Sequence, residues 1–438
     1  MTDAVSDIPP LPLGLRAYRI ATGLARPLAE YVLAERLKKG KEDPDRIAER
    51  KGAASAERPA EPLVWIHGAS VGESLSVLPL VDRLSELRPD LRFLVTTGTI
   101  TSAQLMADRL PPQAQHQFAP VDHPGYVTSF LNHWRPDLAL FVESEFWPNL
   151  ILQTHERGAP MALVNGRISP RTYERWRKRS GAINRLLTAF DRLIAQDKVN
   201  MDRLSELSGA KAQTFGNLKM AAPPLPVDEA ALGGLREMIG DRTVWLAAST
   251  HPGEEDILAL AHKKLKADFP DLLTILVPRH PGRGEEVAEL VSAHGLSAPR
   301  RSKGADIAPE SDIYLADTLG ELGLFYRLCD TVLVGGSLAP KGGHNPLEPA
   351  RLYSAILHGP HTFNFSENYR DMRKAGGAAL VRNEDDLAAS ARRLFIDGKT
   401  RDAMATAAMK TAEASAERVL ADVVDAIDPL LPAKKAVS

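Results

Sequence analysis

The sequence predicts an α/β protein built from two doubly wound, Rossmann-like domains that face each other across a cleft. Three observations carry this. From residue 62 onward, short apolar runs alternate with stretches of helical periodicity, which is how a parallel sheet covered by helices on both faces is encoded. The stretch Ala221-Ala222-Pro223-Pro224-Leu225-Pro226 divides these runs into two sets, because successive prolines favour an extended, helix-free connection. Finally, 438 residues, 44% hydrophobic and 25% charged, suffice for two cores of ordinary size.

The first predicted segment, residues 1–51, is set apart by charge. Residues 11–41 hold seven Lys/Arg against two Glu. At helical spacing Ile20, Ala21, Leu24, Leu28, Tyr31 and Val32 share one side, while Arg16, Arg19 and Arg26 fall on the other, with Pro27 kinking or splitting the helix. Such a helix can lie in the headgroup zone of an anionic membrane or pack on its own domain with solvated arginines. Neither a cleavable leader nor a run of about 18 apolar residues is present, so the chain reads as neither exported nor membrane-spanning. Its single cysteine, Cys329, lies in an apolar stretch and reads as a buried thiol of a reducing compartment. A net charge of −2 argues against a nucleic-acid partner.

The first domain, 60–220, has predicted strands at 63–66, 93–96, 138–142, 161–164, 192–195 and 213–215. The first runs into His67-Gly68-Ala69-Ser70-Val71-Gly72-Glu73 and a helix. Glu73 then falls in the first helical turn, where it can accept a proton from an attacking hydroxyl or simply complement the helix dipole. After the third strand, Glu143 and Glu145 of Glu143-Ser144-Glu145-Phe146-Trp147-Pro148-Asn149 point the same way along an extended chain. A carboxylate pair at a sheet's ligand-binding edge is costly without cations or hydroxyls to meet it. The run 167–185 holds seven basic residues against one Glu, suited to an anionic acceptor or to a solvated helix face. Gly216-Asn217-Leu218-Lys219 brings a lysine to the last strand's end, where it can balance developing charge.

The second domain, 228–405, has predicted strands at 244–247, 273–277, 313–315, 331–334 and 355–357, followed by alanine-rich helix through a terminal segment at 406–438. Pro278-Arg279-His280-Pro281-Gly282-Arg283 ends the second of these strands. Its two arginines and histidine would clamp a phosphate. The backbone amides of Gly335-Gly336-Ser337 and of Gly342-Gly343-His344-Asn345 could approach a nucleotide phosphate, with Glu348 accepting from ribose hydroxyls. Asp317-Thr318-Leu319-Gly320-Glu321-Leu322 offers a further backbone and carboxylate contact. The chain has no P-loop lysine motif, zinc-ligand spacing or GxSxG elbow, and its one Asp-x-Asp, Asp43-Pro44-Asp45, is not at a strand end. A metal or other cofactor is therefore not expected, and arginine with helix dipoles would stabilise a leaving phosphate.

Taken in order, HGASVGE, ESEFWPN, NGRIS, GNLK, STHPGEE, PRHPGR, DTLGEL, GGSLAPKGGHNPLEPA and GPHTFNF resemble the Kdo (3-deoxy-D-manno-octulosonic acid) transferases of lipopolysaccharide synthesis. The resemblance spans about residues 15–381. It implies a GT-B architecture, an acceptor-binding first domain and a nucleotide-sugar-binding second domain. The implied reaction is inverting transfer of Kdo from CMP-Kdo to a tetraacyl lipid A precursor at the cytoplasmic face of the inner membrane. By position it makes Glu73 the proton acceptor and Glu143 and Lys219 transition-state stabilisers. Pro278, Arg279, Leu319, Gly320, Glu321, Asn345, Pro346, Leu347 and Glu348 become the CMP-binding residues. Ser144 and Leu319 depart from the family pattern, which has Thr and Met there. Two other readings fit the same residues: a sugar-nucleotide epimerase on this fold, and a non-catalytic, membrane-bound sugar-binding module.

Overall fold

The computed structural model describes residues 10–68 and 70–434. Ala69 of the HGASVGE motif and the outer ends of the first and last predicted segments lie outside them. The chain divides into two units, Met1–Ala222 with Ala416–Ser438, and Pro223–Ser415.

Unit 1 is organised by seven parallel strands: β1 (Leu63–His67), β2 (Arg92–Thr97), β3 (Ala114–Phe118), β4 (Leu138–Val142), β5 (Met161–Gly166), β6 (Arg192–Ala195) and β7 (Gln213–Thr214). Their spatial order is β3-β2-β1-β4-β5-β6-β7. The central strands β1, β4 and β5 are buried at every position and mostly apolar, because helices cover both faces. Alternate residues feed two separate cores: Leu63, Trp65, Ala139, Phe141 and Leu163 on one face, Val64, Ile66, Leu138, Leu140 and Val164 on the other.

Unit 2 repeats the plan with β8 (Val244–Thr250), β9 (Leu273–Pro278), β10 (Ile313–Leu315), β11 (Thr331–Val334), β12 (Ala355–His358) and β13 (Ala378–Leu380), in the order β10-β9-β8-β11-β12-β13. Renumbered from its own first strand this order is 3-2-1-4-5-6, the doubly wound order of a dinucleotide-binding sheet. Strand order therefore reverses between β1 and β4 in unit 1 and between β8 and β11 in unit 2. Ligands of such sheets bind in the crevice at those reversals.

The sequence reading lacks two strands, β3 and β13. Both are sheet edges, and neither carries the apolar run of a central strand: β3 is Ala-Gln-His-Gln-Phe, and β13 has three residues. At the amino end, Ala25 separates the helices Leu13–Leu24 and Arg26–Lys38, with Pro27 in the first turn of the second, where its missing N–H costs nothing. At the carboxyl end one helix covers Gly398–Ile427 and runs on through 405–406, where the sequence reading ends the second domain. Its Val419, Leu420, Val423, Val424 and Ile427 enter the second core of unit 1.

Candidate active site

In unit 1 the crevice at the strand reversal is lined by the segments after β1 and β4. Ser70 caps the helix Val71–Leu87: its Oγ accepts from the Glu73 N–H at 3.3 Å and donates to Glu73 Oε1 at 2.9 Å. The Ser70 hydroxyl thus holds the Glu73 carboxylate at the helix start. Gly68 makes this possible, since a Cβ there would sit 3.3 Å from the Glu73 Cβ and 3.7 Å from the Val142 Cβ.

Glu143 follows β4 with φ 56°, a left-handed conformation unfavourable to a residue with a Cβ. Its side chain is buried, and Lys219 Nζ lies 2.6 Å from its Oε1 in an off-axis ion pair. Asn165, at the end of β5, has φ 54° and accepts the Leu218 N–H on its Oδ1 at 3.0 Å, while Asn217 Oδ1 accepts the Lys219 N–H at 2.9 Å. The two asparagines fix the turn that delivers the lysine. Glu145 Oε2 accepts the indole N–H of the half-exposed Trp147 at 2.6 Å. Burial first, then the charges of Glu73 and Glu143, push the Glu145 carboxyl above its usual range. His67, 3.9 Å from Glu145, is buried and held neutral, its pKa lowered to about 3 chiefly by desolvation. The structure therefore brings Glu73, Glu143, Glu145 and Lys219 together, three carboxylates and one cation. Downstream, Arg171, Arg175, Arg177, Lys178 and Arg179 are exposed, whereas Arg185 is buried and belongs to the core.

In unit 2 two expectations need correction. The amides of the Gly335-Gly336-Ser337 loop do not await a phosphate. The buried Glu254 carboxylate accepts from the N–H groups of Gly336 at 2.7 Å, Ser337 at 3.0 Å, Leu338 at 2.8 Å, Ala339 at 3.2 Å and His251 at 2.9 Å. An anion of the chain's own already fills that nest. Nor is Arg283 half of a phosphate clamp, because it donates to Glu255 at 2.8 Å and to Glu286 at 2.8 Å. Arg279 remains: it is exposed and makes no ion pair with a described carboxylate, and its backbone is tied to the Thr250 carbonyl at 3.0 Å. Glu254 escaped the sequence reading, although a carboxylate directly after a glycine at the first position of a helix was a usable signal.

The other predicted contacts divide similarly. Pro278 is the buried last residue of β9. Leu319 is 81% exposed and Gly320 has φ 83°, so their backbone is presented outward. Glu321 gives its carboxylate to Arg301, at 2.7 Å, and to Thr318, which leaves the backbone of this turn as its free face. Asn345 Oδ1 accepts the Leu347 N–H at 3.1 Å and its Nδ2 donates to Glu348 Oε1 at 3.2 Å, which orders Pro346 and Leu347 between them. Burial raises the Glu348 carboxyl, opposed by that hydrogen bond and by Arg351 and Arg279. Asn364 of GPHTFNF closes against Gly342, donating to the Lys341 carbonyl at 2.9 Å.

Residues 45–222 match a family model described as 3-deoxy-D-manno-octulosonic-acid transferase (kdotransferase). Among curated proteins, the chain is 35% identical over 373 residues to a 3-deoxy-D-manno-octulosonic acid transferase of Rickettsia bellii, covering 85% of this chain and 89% of that one. It is 34% identical over 358 residues to the enzyme so named in Haemophilus influenzae, covering 81% and 84%. Among solved structures, a glycosyltransferase from Rickettsia africae superposes with a TM-score of 0.56 at 13% identity, over 85% of this chain and 99% of that one. That likeness concerns the fold alone, and the fold is of the GT-B class.

Proposed function

Because this chain belongs to the 3-deoxy-D-manno-octulosonic acid transferase family, and is therefore a glycosyltransferase, we propose that it transfers Kdo from CMP-Kdo to a lipid A precursor, with inversion at the anomeric carbon. The observation that carries the reading is the gathering of Glu73, Glu143 and Lys219 at the strand reversal of unit 1. In this reading Glu73 removes the proton of the attacking hydroxyl, helped by a carboxylate already turned toward the helix start. The Glu143–Lys219 pair stabilises charge that develops on the sugar. Unit 2 holds the nucleotide through Arg279, the backbone of Leu319 and Gly320, and the Asn345–Glu348 turn, with the Arg279 guanidinium offsetting the departing phosphate.

Support for attachment to the cytoplasmic face of the inner membrane comes from the amino-terminal helices. Leu15 and Leu33 are buried and Arg19 is paired with Glu156 at 2.8 Å, so one side is docked on unit 1. Leu13, Ile20, Leu24, Leu28 and Tyr31 are all more than 60% exposed, an apolar face flanked by Arg16 and Arg26. No described helix is long and apolar enough to cross a membrane. Surface attachment would keep the active site beside a lipid acceptor.

Mass spectrometry of a purified reaction containing CMP-Kdo and lipid A precursor tests the reading. A lipid heavier by one or more Kdo residues supports it, and the mass counts the additions. Donor consumption without any change in the lipid, or donor isomerisation with no acceptor present, would sink it.

A further inference from the structure

At the strand reversal of unit 2, His251 directly follows β8 and His344 lies in the loop after β11. Their Nε2 atoms are 2.9 Å apart and their rings lie within 3° of parallel. His280 stands edge-on to His251 at 5.9 Å. The pair is built into the fold. Gly336, with φ 66°, lets both rings rest on its backbone, where a Cβ would come within 3.1 Å of the His344 ring and 3.4 Å of the His251 ring. The His251 N–H is held by Glu254, the His344 N–H by the Gly335 carbonyl, and the His344 carbonyl by the Tyr369 hydroxyl. Among the described residues no group of three or more potential ligands has the arrangement to hold a metal, so this cluster calls for another account.

Two ring nitrogens at 2.9 Å need one proton between them, because two lone pairs or two N–H groups facing each other would repel. The pair can therefore be neutral or singly charged, but not doubly charged. The groups facing it are Arg279 and His280 after β9, Lys341 in the loop after β11, and Glu255 in the helix after β8. The Glu254 charge is already spent on backbone amides. Burial first, then His251 itself and the neighbouring Arg279 and His280, lowers His344 to about 4, and burial lowers His251 as well, so the surroundings favour the neutral pair.

We infer that the His251–His344 pair takes up one proton when a nucleotide phosphate binds beside Arg279, and that this proton stabilises the charge the phosphate gains as it leaves. This rests on the donor reading above. In the transfer, the bond between the anomeric carbon and the phosphate oxygen breaks and its electron pair stays on that oxygen. The phosphate thereby goes from one negative charge to two, and the acceptor's hydroxyl proton goes to Glu73. The proton on the imidazole pair enters from solvent when the nucleotide binds and returns when it departs, so none is consumed.

The experiment is calorimetric titration of the full chain with CMP at pH 7.5, above the second phosphate pKa of about 6, in buffers of different ionisation enthalpy. Wild-type protein should show net proton uptake, and its Kd for CMP should weaken by up to about tenfold per pH unit above neutrality. His344→Gln and His251→Gln, on separate loops, should each abolish the uptake and flatten the pH dependence. CMP binding without uptake in the wild type, which needs no variant to judge, would overturn the inference, as would undiminished uptake in a folded variant. No CMP binding at all would instead remove the donor reading and this inference with it.

Discussion

The two units share one sheet order and one kind of crevice, yet they treat charge in opposite ways. At the reversal in unit 1 three carboxylates crowd together with a single lysine, and burial first, then the neighbouring carboxylates, pushes Glu145 toward its protonated form. At the reversal in unit 2 the acidic groups are neutralised internally: Glu254 by five backbone N–H groups and Glu255 by Arg283 and Thr250. Arg279 is left exposed. The same fold edge carries crowded carboxylates in one unit and an uncompensated arginine in the other, according to which charges its own loops have already consumed. Backbone strain follows the same edges, with Glu143, Asn165 and Ser249 all in left-handed conformations at strand ends.

The contrast can be broken most forcefully at Glu73. Replacing it with Gln keeps the shape of the cap but removes the base, so turnover should fall by roughly 10²–10⁴ while CMP affinity stays unchanged. Loss of CMP binding in the same variant would show that the residue serves structure rather than proton transfer. In unit 2 the corresponding change, Glu254→Gln, should act on folding. It removes a buried charge from five donors and should lower the unfolding free energy by about 2–4 kcal/mol in a denaturant titration, with CMP affinity lost alongside. A stable Glu254→Gln protein would mean that the nest tolerates an uncharged occupant.

Arg279→Ala should weaken CMP binding by about 10- to 100-fold with thermal stability unaltered, since the guanidinium has no carboxylate partner among the described residues. Asn165→Ala should cost about 2 kcal/mol in unfolding free energy, from the left-handed backbone and the lost bond to the Leu218 N–H. Asn165→Gly should recover only the backbone part.

The smallest effect concerns pH. Glu145 holds its proton more tightly folded than unfolded, so stability is greatest below the unfolded carboxylate pKa and declines as pH rises through the raised folded value. Glu145→Gln should flatten this part of the stability–pH profile, read as thermal midpoints between pH 4 and 8. A decline of equal slope in the variant would assign it to other groups.

Much of the site was legible because its residues follow strands directly, and the hydrophobic runs of central strands are hard to mistake. Glu73 and Glu143 stand a few residues beyond such runs, as does Arg279, whereas Lys219 follows the short edge strand β7. What the sequence could not reveal was internal pairing. Arg283 and Arg279 look alike four positions apart, but only Arg283 meets buried Glu255. Glu254 reads as one acid among several at a helix start, and its five donors come mostly from a loop more than 80 residues away. The edge strands β3 and β13 were illegible for a related reason, since a strand paired on one side needs little apolar sequence of its own.

The residues' order by itself determined the two parallel sheets, the family, the apolar side of the amino-terminal helices and the buried state of Cys329, whose thiol burial pushes up, whereas the exposure of that apolar side was decided by packing. These depend on local periodicity and on motifs that are contiguous in the chain. Tertiary structure alone decided which charges remain unpaired among the described residues and that the His251 and His344 rings meet nitrogen to nitrogen. An ion pair or a hydrogen bond depends on distances of a few ångströms, and those are set by packing between segments that the chain itself keeps far apart.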